Sequence, residues 1–139
     1  MKYLCLVYAD ERALDAVPDS ECVAYDESLR ESGRCLASEA LHPVATATTV
    51  RVRNGKLSVT DGPFAETKEQ LAGFYMIEAR DLDEAIQVAA RIPPARVGSV
   101  EVRPVRPIRE TVRASRCARA TPLHLVGFDD HGGSRRSDA

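Results

Sequence analysis

Asp61-Gly62-Pro63-Phe64-Ala65-Glu66-Thr67-Lys68-Glu69 is the stretch from which the rest of the chain can be ordered. Gly62 and Pro63 stop any strand that reaches them and turn the backbone. One aromatic ring and four ionisable side chains (Asp61, Glu66, Lys68 and Glu69) follow within nine residues. The run is therefore a charged connection between two regular elements, the part of a fold where binding chemistry concentrates. Asp61 is expected to hold the turn through its carboxylate, Phe64 to tuck under the loop, and Glu66, Lys68 and Glu69 to cluster within one turn of each other.

Immediately upstream, residues 46–61 read as a hairpin. Asn54-Gly55 is the preferred two-residue type I′ turn. It pairs Arg53 with Lys56, Val52 with Leu57, Arg51 with Ser58 and Val50 with Val59. Alternation then predicts a dry face of Val50, Val52, Leu57 and Val59, and a wet, basic face of Arg51, Arg53, Ser58 and Thr60. Downstream, residues 71–79 form a strand that is apolar on both faces, Ala72, Phe74 and Met76 against Gly73, Tyr75 and Ile77. The N-terminal segment Lys2–Ala9 has the same character. A helix starts near Asp19 after Pro18, carries Cys22, Tyr25, Asp26 and Leu29 at helical spacing, and stops at Gly33. A second starts at Asp81, with Glu84 three residues on as in a capping box, and ends before Pro93-Pro94. Residues 100–105 are a last short strand.

The order β-α-(β)-ββ-β-α-β is that of an α+β, ferredoxin-like sandwich: an antiparallel sheet with two helices on one face. Two helices cover one face, yet the central strands are apolar on both. A second copy of the chain, stacked sheet to sheet as a homodimer, is the simplest cover for the other.

Composition narrows the function classes. The chain has 139 residues, 44% hydrophobic and 29% charged, as expected of one globular domain. No apolar run approaches the roughly 20 residues of a membrane span. The N-terminus reads as a strand, not a signal peptide, so a cytoplasmic location is expected. The four cysteines show no metal or CxxC spacing, so free thiols and no metal site are expected. A net charge of −2 argues against direct nucleic-acid binding. Residues 1–107 carry 13 basic and 17 acidic side chains; residues 108–139 carry 6 and 4. That shift marks a domain over 1–107 followed by a basic C-terminal extension over 108–139, with a short Arg-rich helix and a flexible polar end expected in it.

Two sets of residues could carry chemistry. In the first, Asp61, Glu66, Lys68 and Glu69, with Tyr75 and His42 beside them, wall a pocket for a small polar or anionic ligand, with Lys68 meeting the negative charge. In the second, Glu39, His42 and Asp61 transfer protons in an isomerase- or lyase-like enzyme. A solvated loop with a surface Lys–Glu pair is the plain alternative to both. No nucleophile elbow or phosphate loop is present, and no cofactor is expected.

The chain resembles the YCII-related family, in the branch named for its Asp-Gly-Pro-Phe motif. The resemblance is carried by Met1-Lys2-Tyr3-Leu4, residues 46–55, the run from Asp61 to Glu69, Gly73-Phe74-Tyr75, Asp81-Leu82-Asp83-Glu84-Ala85, and Ser99-Val100-Glu101-Val102-Arg103-Pro104. It implies a dimeric α/β-barrel-type association of ferredoxin-like domains and a ligand cleft beside the sheet. It also implies a bacterial regulatory setting, with association to sigma factors in some relatives. Shorter relatives pair a histidine just after the first strand with an aspartate; this chain has no histidine before His42, so that pair does not carry over. A further alternative is an interaction module that contacts a transcription factor through the basic tail.

Overall fold

The computed structural model of the chain describes residues 1–108. The basic helix and flexible end expected over 108–139 lie outside the described residues, apart from Ile108. Residues Met1–Val105 form one compact unit. Its strands are β1 (Lys2–Ala9), β2 (Cys35–Ala40), β3 (Thr48–Arg53), β4 (Lys56–Asp61), β5 (Gln70–Glu78) and β6 (Ser99–Pro104). Its helices are α1 (Glu11–Leu14), α2 (Asp19–Glu31) and α3 (Leu82–Ala90). α1 was not expected from sequence; Asp10 caps it, accepting from the Arg12 amide at 2.9 Å.

Four strands form an antiparallel sheet in the order β2-β5-β1-β6. β5 lies between β1 and β2, and β1 between β5 and β6, with α2 and α3 as the two crossovers. This is the ferredoxin-like split β-α-β arrangement. The helices pack on one sheet face. Tyr3, Cys5, Val7, Tyr75 and Ile77 meet Leu29 of α2 and Ala85, Val88 and Ala89 of α3 in a single core. The opposite face, with Leu4, Leu6, Phe74 and Met76, is half-buried.

Local signals set the element ends. At the end of α2 the Arg34 amide donates to Leu29 and the Gly33 amide to Arg30, with Gly33 at φ 82°, a Schellman stop. At the start of α3 the Glu84 amide donates to Asp81 Oδ1 at 3.0 Å. The Glu84 carboxylate does not complete a capping box. It accepts from the Arg80 amide at 2.8 Å and pairs with the Arg34 and Arg80 guanidinium groups, each at 3.3 Å, which ties the start of α3 to the loop before β2.

The hairpin has the register read from Asn54-Gly55, with Arg53 opposite Lys56 and Val50 opposite Val59, and both turn residues at positive φ. Its environment differs from expectation. β3 and β4 form their own two-stranded sheet, apart from the four-stranded one. Val50, Val52, Leu57 and Val59 are 59–61% exposed, so the face read as dry is uncovered in the single chain. The alternation correctly reports an apolar face, but no element of Met1–Val105 comes over to bury it.

Candidate functional site

A cleft of about 710 Å³ lies at the carboxyl ends of β1 and β2. One wall is the segment from α1 into α2; the other is the end of β2, the residues after it and the start of β5. Gly73 is what allows that second wall. β2 passes so close to it that a Cβ there would lie 2.7 Å from the Glu39 carbonyl oxygen.

The floor is apolar, formed by Val7, Leu14, Val17 and Tyr75. Above it Asp26 of α2 meets Ser38 of β2. The Ser38 hydroxyl donates to Asp26 Oδ1, while Arg30 Nε donates to Asp26 Oδ2 at 2.9 Å and Arg30 Nη2 to Ser38 Oγ at 3.1 Å. This network pins the helix to the edge strand across the cleft. Partial burial pushes the Asp26 carboxyl up, but the Ser38 hydroxyl and the Arg30 guanidinium outweigh it and hold the group below the usual carboxylate range. Because the folded pKa lies below the unfolded one, the contribution to stability is full above the ordinary aspartate range and is lost as pH falls through the depressed value. Asp26→Asn should therefore cost on the order of 1 kcal/mol near neutral pH, after discounting for solvent screening. Urea midpoints should show that gap closing as pH falls below the ordinary aspartate range; a gap independent of pH would contradict the assignment.

Tyr75 is only 8% exposed and lines the cleft from β5. Its ring meets that of Tyr25 edge to face, centroids 6.1 Å apart. The Tyr25 hydroxyl donates to the Val88 carbonyl at 2.8 Å, whereas the Tyr75 hydroxyl has no hydrogen-bond partner among the described residues. Burial, then Cys22 and Asp26 nearby, push the Tyr75 hydroxyl strongly up, so it stays protonated. Burial likewise raises Cys22, with Asp19 and Glu21 adding to it, and carries Cys5 up to about 11. Neither thiol is a ready nucleophile.

The residues singled out in the sequence are divided among different places. His42 and Tyr75 line the cleft, and so does Glu39. Glu69 lines a second, shallower concavity of about 490 Å³ with Tyr8, Thr67, Ser99, Val100 and Glu101, and accepts from the Ser99 hydroxyl at 2.8 Å. Asp61, Glu66 and Lys68 are exposed and line neither concavity. The loop is not held by an Asp61 side-chain bond. Instead the Gly62 amide donates to Ala47, and Thr49 Oγ1 donates to Gly62, both at 2.8 Å. Phe64 does not tuck under it: the ring is 78% exposed, with the Arg51 guanidinium 5.7 Å from its centroid. Lys68 makes no ion pair among the described residues. No hydrogen bond joins His42 to Glu39 or Asp61 among them, so no proton relay is assembled there. No group of three or more metal-ligating side chains converges among the described residues. None of the described helices is long and apolar enough to cross a membrane.

Sequence reasoning missed Asp26, Ser38 and Cys22 as site residues. The available signal was a carboxylate inside the inward-facing set Cys22, Tyr25, Asp26 and Leu29, where an apolar residue would otherwise stand.

A ferredoxin-like α+β unit with a cleft between its first long helix and an edge strand is the class that fold and geometry define. The YCII-related domain matches residues 1–109, and the chain belongs to that family. It is also 40% identical over 114 residues to an uncharacterised protein of Rhizobium meliloti (strain 1021), a match covering 76% of this chain and 92% of that protein.

Proposed function

We propose that the chain is a small-molecule-binding protein of the Asp-Gly-Pro-Phe branch of its family, acts as a homodimer, and holds a polar organic ligand in the cleft between α2 and the edge of β2 and β5. The observation that carries this is the cleft: about 710 Å³, with apolar lining and a buried Tyr75 whose hydroxyl has no protein partner among the described residues. Ligand sites are typically concavities of roughly 300–1,000 Å³, mostly apolar, with a few convergent polar groups. A buried hydroxyl without a partner costs about 1–3 kcal/mol, which a ligand hydrogen bond recovers.

The homodimer is supported by the hairpin. An isolated two-stranded hairpin is marginal in water, yet this one exposes four aliphatic side chains on one face, and Phe64 is exposed on the loop that follows. A second copy offering the same patch across a two-fold axis would bury both. In that assembly residues 61–69 border the subunit boundary, which is where Asp61, Glu66, Lys68 and Glu69 would act.

Native mass spectrometry of the full chain purified from its host tests both parts. A mass near twice 15.2 kDa is expected, with a small-molecule adduct. Ala40→Trp, which fills the cleft from an exposed β2 position, should remove the adduct and leave the thermal midpoint unchanged. An adduct retained by that variant would place the ligand elsewhere, and a 15.2 kDa monomer at micromolar concentration would sink the dimer.

A further inference from the structure

The lining of the cleft has a one-sided charge. Glu11, Asp15, Asp19, Asp26, Glu27 and Glu39 are among its residues, and no lysine or arginine is. Two of these carboxylates are already engaged: Glu11 accepts from the Val44 amide at 2.8 Å, and Asp26 is held by Arg30 and Ser38. Asp15, Asp19, Glu27 and Glu39 have no side-chain hydrogen bond or ion pair among the described residues. Lys68, on which the expectation of an anionic ligand rested, is not part of the lining.

An acidic rim alone would be a solvated surface. Here it surrounds apolar lining residues, among them Tyr75, whose side chain is more than nine-tenths buried and whose protonated hydroxyl has no partner among the described residues. A hydroxyl can accept from an ammonium N–H, and the tyrosine ring face attracts a cation. A carboxylate ligand would meet Asp19, Glu27 and Glu39 at the rim and would be repelled, whereas a concave anionic rim concentrates cations.

We infer that the cleft takes an organic cation, an alkyl or aryl amine whose ammonium group lies among the rim carboxylates and whose apolar body rests on Val7, Leu14, Val17 and Tyr75. This rests on the cleft being the ligand site, as proposed above. Three probes of matched shape separate the two claims: 4-phenylbutylamine, 4-phenylbutanol and 4-phenylbutyrate. Each is titrated into the full-length ¹⁵N-labelled chain, with binding located by amide shifts and its strength measured by calorimetry. The amine should shift amides of residues 38–42 and 70–75 and bind about tenfold or more tighter than the alcohol, about 1.4 kcal/mol. 4-Phenylbutyrate should bind weakest. Glu27→Gln combined with Glu39→Gln, both exposed positions, should cut the preference for amine several-fold, Asp15 and Asp19 remaining, with a much smaller change in the alcohol's affinity. If the alcohol or the carboxylate binds in the cleft as tightly as the amine, the charge inference is overturned and the binding site stands. If no probe shifts the cleft amides, both fall.

Discussion

Gly98→Ala is expected to remove about 3 kcal/mol of stability or more and lower the thermal midpoint by at least 10 °C or so. Gly98 precedes β6 and lies against the end of β1. A Cβ at this position would sit 2.2 Å from the Tyr8 carbonyl oxygen, 2.8 Å from the Ala9 Cβ and 3.0 Å from its Cα. Two of those three atoms are backbone, and no side-chain rotation relieves the clash. Relief requires β6 to move away from β1 along a ladder that runs from Tyr3 opposite Pro104 to Tyr8 opposite Ser99. β6 is an edge strand that brings Val100 and Val102 against the core, so displacing it also opens apolar packing. Urea unfolding checks this directly: a midpoint shifted by less than the equivalent of about 1 kcal/mol would show that the edge can yield at little cost.

Ile77→Ala should cost about 3–4 kcal/mol. Ile77 is fully buried on β5, opposite Tyr3 of β1 and Cys35 of β2, at the centre of the core under both helices. Removing three carbons there loses their transfer free energy and leaves a cavity enclosed by a sheet and two helices that cannot easily collapse. Val52→Ala is the useful contrast. Val52 is 59% exposed on the hairpin, so removing two carbons there should leave the isolated subunit nearly unchanged. In a homodimer that buries the hairpin face, the Val52 variant would instead weaken association. Chemical unfolding for Ile77 and light scattering against concentration for Val52 distinguish the two burials.

The parts of the fold that could be read from residues are those in which neighbours in sequence settle the outcome. Asn54-Gly55 selects its turn within two residues, and the turn sets the register of every pair in the hairpin. Asp81 caps α3, Gly33 ends α2, and short runs apolar on both faces in Lys2–Ala9 and around Tyr75 and Ile77 identify the central strands. The candidate site was less legible. His42, Tyr75 and Glu39 do line the cleft, but the charged run at 61–69 drew attention through its density. Charge density marks a solvated loop as readily as a binding wall. Asp26 and Ser38 were missed because neither belongs to a motif; they become a pair only when α2 lies across β2.

Local conformation and the apolar character of each face are set by residues close together in the chain, because turn geometry, capping and side-chain periodicity act over a few residues. Which apolar faces are covered, and which side chains converge, is settled by the packing of distant segments. Periodicity shows that a face is apolar but not what will bury it. Hence the helix-side face of the sheet is core, while the hairpin face stands open. The cleft draws on residues as far apart in the chain as Val7 and Pro94. Its anionic rim therefore follows from how the strands and helices pack, and the sign of its charge is opposite to the one suggested by Lys68 in the most conspicuous motif.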